Sequence, residues 1–169
     1  HNISNTVLAQ DAITVDMALF DTIEDIDEAN KTVWAGPGVL SEPLNKKTYA
    51  KGLAFPSAHT GFVTIGGYLL GGGMGWNMPA WGMGSASVLA AEVVLASGQV
   101  VTISPTEHTD LYAAMRGVGP GFFGIVLRYK LQLHQAPKIV KNTYFFTLDT
   151  LDKAVPEFLK LLPASKNRS

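Results

Sequence analysis

The sequence predicts an α+β fold in which an antiparallel sheet is flanked by short helices. Two observations carry this prediction. Residues 124–134 alternate apolar and polar side chains, the period of a half-buried strand. Residues 88–95 and 99–103 are β-prone runs joined by Ala96-Ser97-Gly98, which is a hairpin pattern with a glycine where φ is expected to be positive. Short segments with helical spacing lie between these runs.

The N-terminal part predicts a small antiparallel meander followed by a helix. Residues 13–16, 23–27 and 32–35 are the three β-prone runs. After Gly36-Pro37-Gly38, apolar residues recur at helical spacing, which predicts a short helix over residues 41–51.

Residues 65–84 contain eight glycines in twenty positions, interleaved with large apolar side chains. Flexible linkers lack such side chains, so this stretch is not a linker. Its glycines predict positive φ or close backbone approach, and its N–H groups form a possible donor array for a large flat ligand. A glycine-rich turn packed against a tight core explains the stretch equally well. A second glycine element, residues 116–124, suggests that two backbone walls approach one ligand.

Residues 111–115 predict a short helix capped by Asp110. The strand after it has one face that we expect to be buried. That face comprises Ile125, Leu127, Tyr129, Leu131 and Leu133.

Ala136-Pro137 marks a predicted boundary between residues 1–136 and residues 137–169. Beyond it, residues 142–148 predict a strand, and an apolar stripe from Leu151 predicts a helix that ends at Pro163. This unit cannot bury its own stripe, so we expect it to be the start of an unfinished second domain.

The composition of the chain argues against several classes of function. The net charge is −1 without a basic block, which argues against nucleic acid and anionic membranes as partners. There is no cysteine, and the four histidines are too widely spaced to indicate a metal site. No apolar run reaches the length of a spanning helix. The chain opens at His1-Asn2 rather than at a methionine, so we expect it to be a fragment.

The motif series is similar to the FAD-linked oxidase family, in particular its berberine-bridge-enzyme-like and 6-hydroxynicotine-oxidase-like branch within the vanillyl-alcohol-oxidase superfamily. The series runs through residues 66–77, Ala80-Trp81-Gly82, residues 91–94, residues 110–117 and residues 119–126. The resemblance implies that residues 1–136 are the second lobe of a PCMH-type FAD-binding domain and that residues 137–169 are the first strand and helix of a substrate domain. It also implies FAD as cofactor, an oxidation in which hydride passes to the flavin, and as partners a small organic substrate, the missing FAD lobe and the remainder of the substrate domain.

The resemblance also implies a set of cofactor-binding residues. His1-Asn2 matches the end of a motif whose histidine is often linked to the flavin 8α-methyl group. The remaining positions that fall where the family lines the cofactor are Thr64, Gly66, Gly67, Leu70, Gly72, Met74 and Ile125. A cysteinyl link is excluded because Thr60-Gly61 stands where some members have Cys-Pro. No catalytic base is assigned.

Other interpretations stay open at this level. His59 is a satisfied loop histidine or faces the flavin; Trp76 and Trp81 pack in the core or stack on a ring. Glu92 is expected to pair with Arg116 or Arg128. As alternatives to an oxidoreductase, the chain could be a non-catalytic binding or assembly fragment with an exposed apolar partner surface. A nicotinamide-dependent Rossmann enzyme is a weaker third interpretation, because the hairpin argues against a parallel unit around Gly71.

Overall fold

A computed structural model describes residues 10–140 and 143–165, with side chains up to residue 160. Its contacts divide the chain into two units, His1–Ala136 and Pro137–Ser169.

The first unit contains a four-stranded antiparallel sheet and a small two-stranded sheet. The strands are β1 (Thr32–Ala35), β2 (Leu53–Ala54), β3 (Val88–Val94), β4 (Val100–Ile103), β5 (Ile125–Gln132) and β6 (His134–Gln135). The larger sheet has the order β1-β5-β3-β4, and β2 pairs with β6. The helices are α1 (Ser41–Tyr49), α2 (Ile65–Leu70), α3 (Met78–Trp81) and α4 (Thr109–Met115). The predicted α+β class, an antiparallel sheet with flanking helices, is therefore confirmed.

The predicted hairpin is present as β3 and β4. Gly98 has a φ of 81° in the turn, and its N–H donates to the Leu95 carbonyl at 2.8 Å. The Leu95 N–H donates to the carbonyl of Gln99 at 2.9 Å, which closes the turn. Glycine is needed here because other residues rarely adopt this backbone region.

The core lies between the larger sheet and the helices. Its largest fully buried side chains are Tyr129, Leu44, Ile65, Leu69, Ile103, Met115, Leu131 and Leu133. Leu44 brings α1 into this core, and Ile65 and Leu69 bring in one side of α2. Because α2 is anchored through these side chains, its other residues are held at a fixed place beside β5.

The buried face of β5 differs from the prediction at its first residues. Tyr129 and Leu131 are fully buried as expected, whereas Ile125 is 39% exposed and Val126 is buried in its place. The cause is a β-bulge: Glu92 pairs with Arg128, but the next pair is Val93 with Val126. The strand therefore carries one extra residue, Leu127, and the side-chain alternation reverses there.

The predicted N-terminal meander is confirmed only for its third run, which is β1. Residues 13–16 form no strand, and residues 23–27 contribute only the isolated bridges Ile23 to Ala35 and Asp27 to Thr32. The reason is close packing against a neighbouring loop. A Cβ on Gly38 would lie 2.5 Å from the Met17 carbonyl oxygen, so the segment follows the loop after β1 rather than a regular ladder.

The glycine-rich stretch contains two short helices, α2 and α3, that the sequence interpretation did not include. Positive φ, which it did include, occurs at Gly72 with 95° and at Gly73 with 78°. These two residues turn the chain after α2. Gly66 and Gly67 lie inside the helix itself.

Helix α4 begins at Thr109, two residues earlier than a cap at Asp110 would require. The residue before its first turn is His108, which has a φ of 46° and makes no side-chain cap hydrogen bond. Asp110 instead lies within the first turn, where a carboxylate favours the positive end of the helix dipole.

The second unit contains a single turn at Leu148–Thr150 followed by helix α5 (Leu151–Ser165). Residues 143–147 are not a strand, so the strand prediction is wrong for the described part of that segment, and residues 141 and 142 lie outside it. The helix also continues through Pro163 rather than ending there. Proline fixes φ near the helical value; within a helix it removes one hydrogen bond and crowds the carbonyl four residues earlier, which can kink the helix without ending it.

Candidate cofactor site

A cavity of about 360 Å³ opens in the first unit between α2 and the start of β5. Five of the residues predicted to bind a cofactor line it: Thr64, Gly66, Gly67, Leu70 and Ile125. The other lining residues are Val15, Asp16, Met17, Ala18, Pro37, Gly38, Gly124, Val126 and Tyr129. The size is that of a site for a small molecule or for part of a larger ligand.

The α2 wall of the cavity depends on two glycines that do different things. A Cβ on Gly66 would lie 2.8 Å from the Pro37 Cβ, so this glycine lets the helix pack against the loop after β1. A Cβ on Gly67 would meet no atom within 4 Å. Gly67 therefore exposes bare backbone to the cavity, where a ligand can approach it closely.

Several backbone donors of the glycine-rich stretch are used inside the protein. The Ile65 N–H donates to the Val39 carbonyl and the Gly66 N–H to the Pro37 carbonyl, both at 2.9 Å. The Gly71 N–H donates to the Gly67 carbonyl at 3.0 Å, as expected in a helix. The donor array expected from the sequence therefore has fewer free N–H groups. This wall would contact a ligand through its apolar groups as well as through hydrogen bonds.

The second glycine element supplies the opposite wall. Its Gly119–Gly121 turn contacts α2, and Gly124 and Ile125 face the same cavity as that helix. A Cβ on Gly124 would overlap the side chain of Val93, so only glycine allows β5 to start so close to β3. The structure therefore brings the two glycine elements together, as the sequence suggested.

Three lining residues carry polar side chains: Asp16, Thr64 and Tyr129. One Asp16 carboxylate oxygen accepts a hydrogen bond from the Ala18 N–H at 2.9 Å. The Tyr129 hydroxyl donates to the Gly66 carbonyl at 3.4 Å, and burial raises its pKa above the usual range. No lysine or arginine stands among the described lining residues, so this part of the site fits the flat and apolar portions of a ligand.

The remaining predicted residues are not brought into this cavity. Gly72 turns toward Met83, since a Cβ there would lie 2.7 Å from the Met83 Cε, and Met74 is 61% exposed. His1 and Asn2 lie outside the described residues. Conversely, sequence reasoning missed Pro37 and Tyr129. The signal that could have found Pro37 is its two flanking glycines, Gly36 and Gly38.

Glu92 pairs with Arg128, one of its two expected partners. The Arg128 guanidinium donates to both Glu92 carboxylate oxygens, at 2.8 and 2.6 Å, and holds the pKa of that carboxyl below its usual range. Arg128 also reaches Glu24 at 2.5 Å and lies over the Trp34 ring at 4.5 Å. Arg116 instead donates to the Ser85 carbonyl at 3.0 Å.

Two tryptophan–histidine pairs lie near the glycine-rich stretch. Trp81 stacks on His134 at 4.5 Å, and His134 Nε2 lies 3.0 Å from Ser87 Oγ. Trp76 stacks on His59 at 4.1 Å and is 71% exposed. Of the two interpretations of Trp76, packing in the core is therefore wrong.

Within residues 10–140 and 143–165, no group of three histidine or acidic side chains could hold a metal ion. The helices described there are also too short or too polar to cross a bilayer.

The comparison with known families agrees with the geometry of the cavity. The sequence profile of the family described as FAD binding domain matches residues 1–104, which is more than half of the chain. The chain therefore belongs to the FAD-binding domain family, and its cofactor is FAD. The open backbone at Gly67 and the largely apolar lining fit a flat cofactor of this kind.

Individual relatives are flavoenzymes. The FAD-linked oxidoreductase janO of Penicillium janthinellum is 36% identical over 169 residues, which cover 96% of this chain and 36% of janO. The crystal structure of 6-hydroxy-D-nicotine oxidase from Arthrobacter nicotinovorans matches with a TM-score of 0.78 and 31% identity, over 88% of this chain and 33% of the oxidase. The resemblance to FAD-linked and 6-hydroxynicotine oxidases is thus confirmed.

A third relative bears on cofactor attachment. Glucooligosaccharide oxidase from Acremonium strictum, described with 6-S-cysteinyl, 8α-N1-histidyl FAD, matches with a TM-score of 0.65 and 27% identity, over 74% of this chain and 26% of the oxidase. The present sequence has no cysteine for such a cysteinyl link. The chain spans about a third of the length of the relatives it matches.

Proposed function

We propose that the protein is an FAD-dependent oxidoreductase of the oxidase type, which oxidises a small organic substrate. The observation that carries this proposal is the cavity of an FAD-binding domain, in which five residues expected at the cofactor line one space. FAD supplies the chemistry when bound, by accepting a hydride from the substrate at flavin N5 and passing electrons to oxygen or another acceptor.

The residues of the chain bind and orient the cofactor. Gly67 allows close approach of a flat group, while Leu70 and Ile125 give apolar contact from facing walls. Gly66 holds α2 against Pro37, so the wall keeps its position when a ligand enters. The side chains of Leu70 and Ile125 exclude water from the buried part of the ligand.

We include Gly72, Met74, His1 and Asn2 in the proposed cofactor site on the strength of the family resemblance. Gly72 and Met74 follow α2 in the chain, and we propose that they meet a part of FAD that extends beyond the cavity. A histidyl link in a relative of similar fold supports His1 as the attachment residue. Flavin that stays with the protein after acid precipitation, and is lost in His1→Ala, would support this link.

We also propose that residues 1–136 form one lobe of the FAD domain and that residues 137–169 begin a substrate domain. The division of contacts after Ala136 supports the boundary. In the second unit, Tyr144, Phe146, Val155 and Phe158 line an apolar groove, and Phe158 is 62% exposed. Such a groove suits contact with the remainder of a domain, and the length of the relatives leaves room for one.

The test is flavin binding by the full-length product of the gene that encodes this sequence. We expect a yellow protein with flavin absorbance, which a reducing organic substrate bleaches under nitrogen and oxygen restores. A colourless protein that FAD cannot reconstitute would contradict the proposed function. An otherwise similar experiment with NAD serves as the control, and we expect no binding.

A further inference from the structure

The His59–Trp76 pair forms an exposed aromatic surface, which we call the aromatic ledge. The two ring centroids are 4.1 Å apart with 27° between the ring planes. Trp76 is 71% exposed although its side chain is one of the largest apolar groups in the chain. An indole held against one partner and open on its other side is suited to stack on a second flat ring.

Neighbouring contacts hold the two loops of the ledge together. A Cβ on Gly75 would lie 2.9 Å from the Ser57 carbonyl oxygen, so the loops touch through their backbones. The Tyr68 hydroxyl donates to the Pro56 carbonyl at 2.7 Å, and the Ser57 hydroxyl donates to the Asn45 side-chain oxygen at 2.9 Å. The ledge is therefore ordered before any ligand binds, which lowers the entropy lost on binding.

The ledge lies on the two loops that flank α2. The loop with His59 leads to Thr64, and the loop with Trp76 follows Leu70. Thr64 and Leu70 both line the candidate cofactor cavity. A ligand that contacts Thr64 and Leu70 therefore contacts the residues at which the two loops of the ledge join α2.

We propose that the aromatic ledge stacks against the isoalloxazine ring of FAD. The inference rests on the proposed function, because it requires that FAD occupies the cavity. Neither ledge side chain carries a permanent charge, which suits a broad ring whose faces are apolar. The apolar Phe62 and Met74, 74% and 61% exposed, lie on the same two loops and favour a ligand of that kind.

The experiment compares Trp76→Leu with Trp81→Leu in the full-length holoprotein. Trp81 belongs to the other tryptophan–histidine stack of the chain, so it controls for the loss of an indole. Because a stacked indole quenches flavin emission, we expect Trp76→Leu to raise the fluorescence of bound flavin several-fold. In the apoprotein, the affinity for FAD should fall about ten-fold, the size of one aromatic stack, while that for AMP stays unchanged.

Three results would overturn the inference. If the variant weakens FAD and AMP binding equally, Trp76 has only a structural role. If emission and FAD affinity do not change, the ring does not lie on the ledge, and a higher substrate KM in the same variant would assign the ledge to the substrate. If the wild-type protein binds no FAD, both the proposed function and this inference are wrong. If the wild-type protein binds FAD but the Trp76 variant shows neither expected change, only the inference about the ledge is wrong.

Discussion

At the scale of single residues, Gly67 is the position where the absence of a side chain serves the cavity rather than the fold. The other glycine of α2, Gly66, is required by Pro37, whereas a Cβ on Gly67 would meet nothing within 4 Å. The same residue type therefore has a packing role at one position and leaves ligand space at the next.

A leucine at Gly67 is expected to block the cofactor without harming the fold. Overfilling the space costs roughly 1–3 kcal/mol of binding, which is about ten- to hundred-fold in FAD affinity. Unfolding should be unchanged or harder by about 1 kcal/mol, because glycine is unfavourable within a helix. Flavin titration and urea unfolding measure both effects. Ala113→Leu, at an exposed position of α4, is the matched control and should leave FAD binding unchanged.

His134 is expected to make stability depend on pH. Burial, and secondarily the charge of Lys31, lower its folded-state pKa below the ordinary value near 6.5. The unfolded chain therefore takes up the proton first, so stability is complete above that value and is lost as the pH falls below it. We expect the urea midpoint to drop between pH 7.5 and pH 5, and His134→Phe to reduce this drop while it keeps the stack on Trp81. An unchanged pH dependence in the variant would contradict the role given to His134.

At the scale of elements, the bulge in β5 decides which side chains reach the core. The alternation in the sequence places Leu127 and Leu131 on one buried face, but the extra residue at Leu127 turns Val126 inward instead. It also turns Ile125 outward, where it lines the cavity. The irregularity of the strand thus places one wall of the site.

Two leucine-to-alanine truncations in β5 test whether the bulge decides which side chains are buried. Leu131→Ala removes a fully buried side chain and is expected to cost about 2–5 kcal/mol of unfolding free energy. Leu127→Ala lies at the bulge and only partly buries its side chain, so it should cost less than about 1 kcal/mol. Chemical denaturation of both variants compares them directly. Equal costs would mean that the regular alternation describes the strand better than the bulge does.

Elements defined by local pattern were predictable, and those defined by distant contacts were not. The hairpin at Gly98 follows from turn chemistry, and the alternation beyond residue 128 follows from burial on one face. The bulge at Leu127 depends on the register against β3, which no local pattern records. Thr64 and Ile125 were predicted as cavity residues from the motif resemblance. Pro37 lines the same cavity because Gly66 packs on it, a contact that the sequence alone does not show.

At the scale of the whole molecule, the second unit leaves many of its large apolar side chains exposed. Along the described part of α5, Val155 is 48% exposed, Phe158 62% and Leu159 53%. The same stripe was expected to remain uncovered, because one helix cannot bury its own apolar face. An exposed stripe of this kind promotes association unless another part of a protein covers it.

The chain of 169 residues, expressed alone, is therefore expected to self-associate through this stripe. Phe158→Asp should shift the sedimentation profile toward the monomer at concentrations where the unaltered chain forms larger species, because a buried carboxylate opposes association. Lys160→Gln changes the net charge by the same amount on the same exposed helix and should leave the profile as it was. Since α5 begins at Leu151, flavin binding should not respond to either change if the cofactor is held by residues 1–136. A monomeric unaltered chain, or a Lys160→Gln variant that dissociates as fully as Phe158→Asp, would show that the apolar stripe does not drive association.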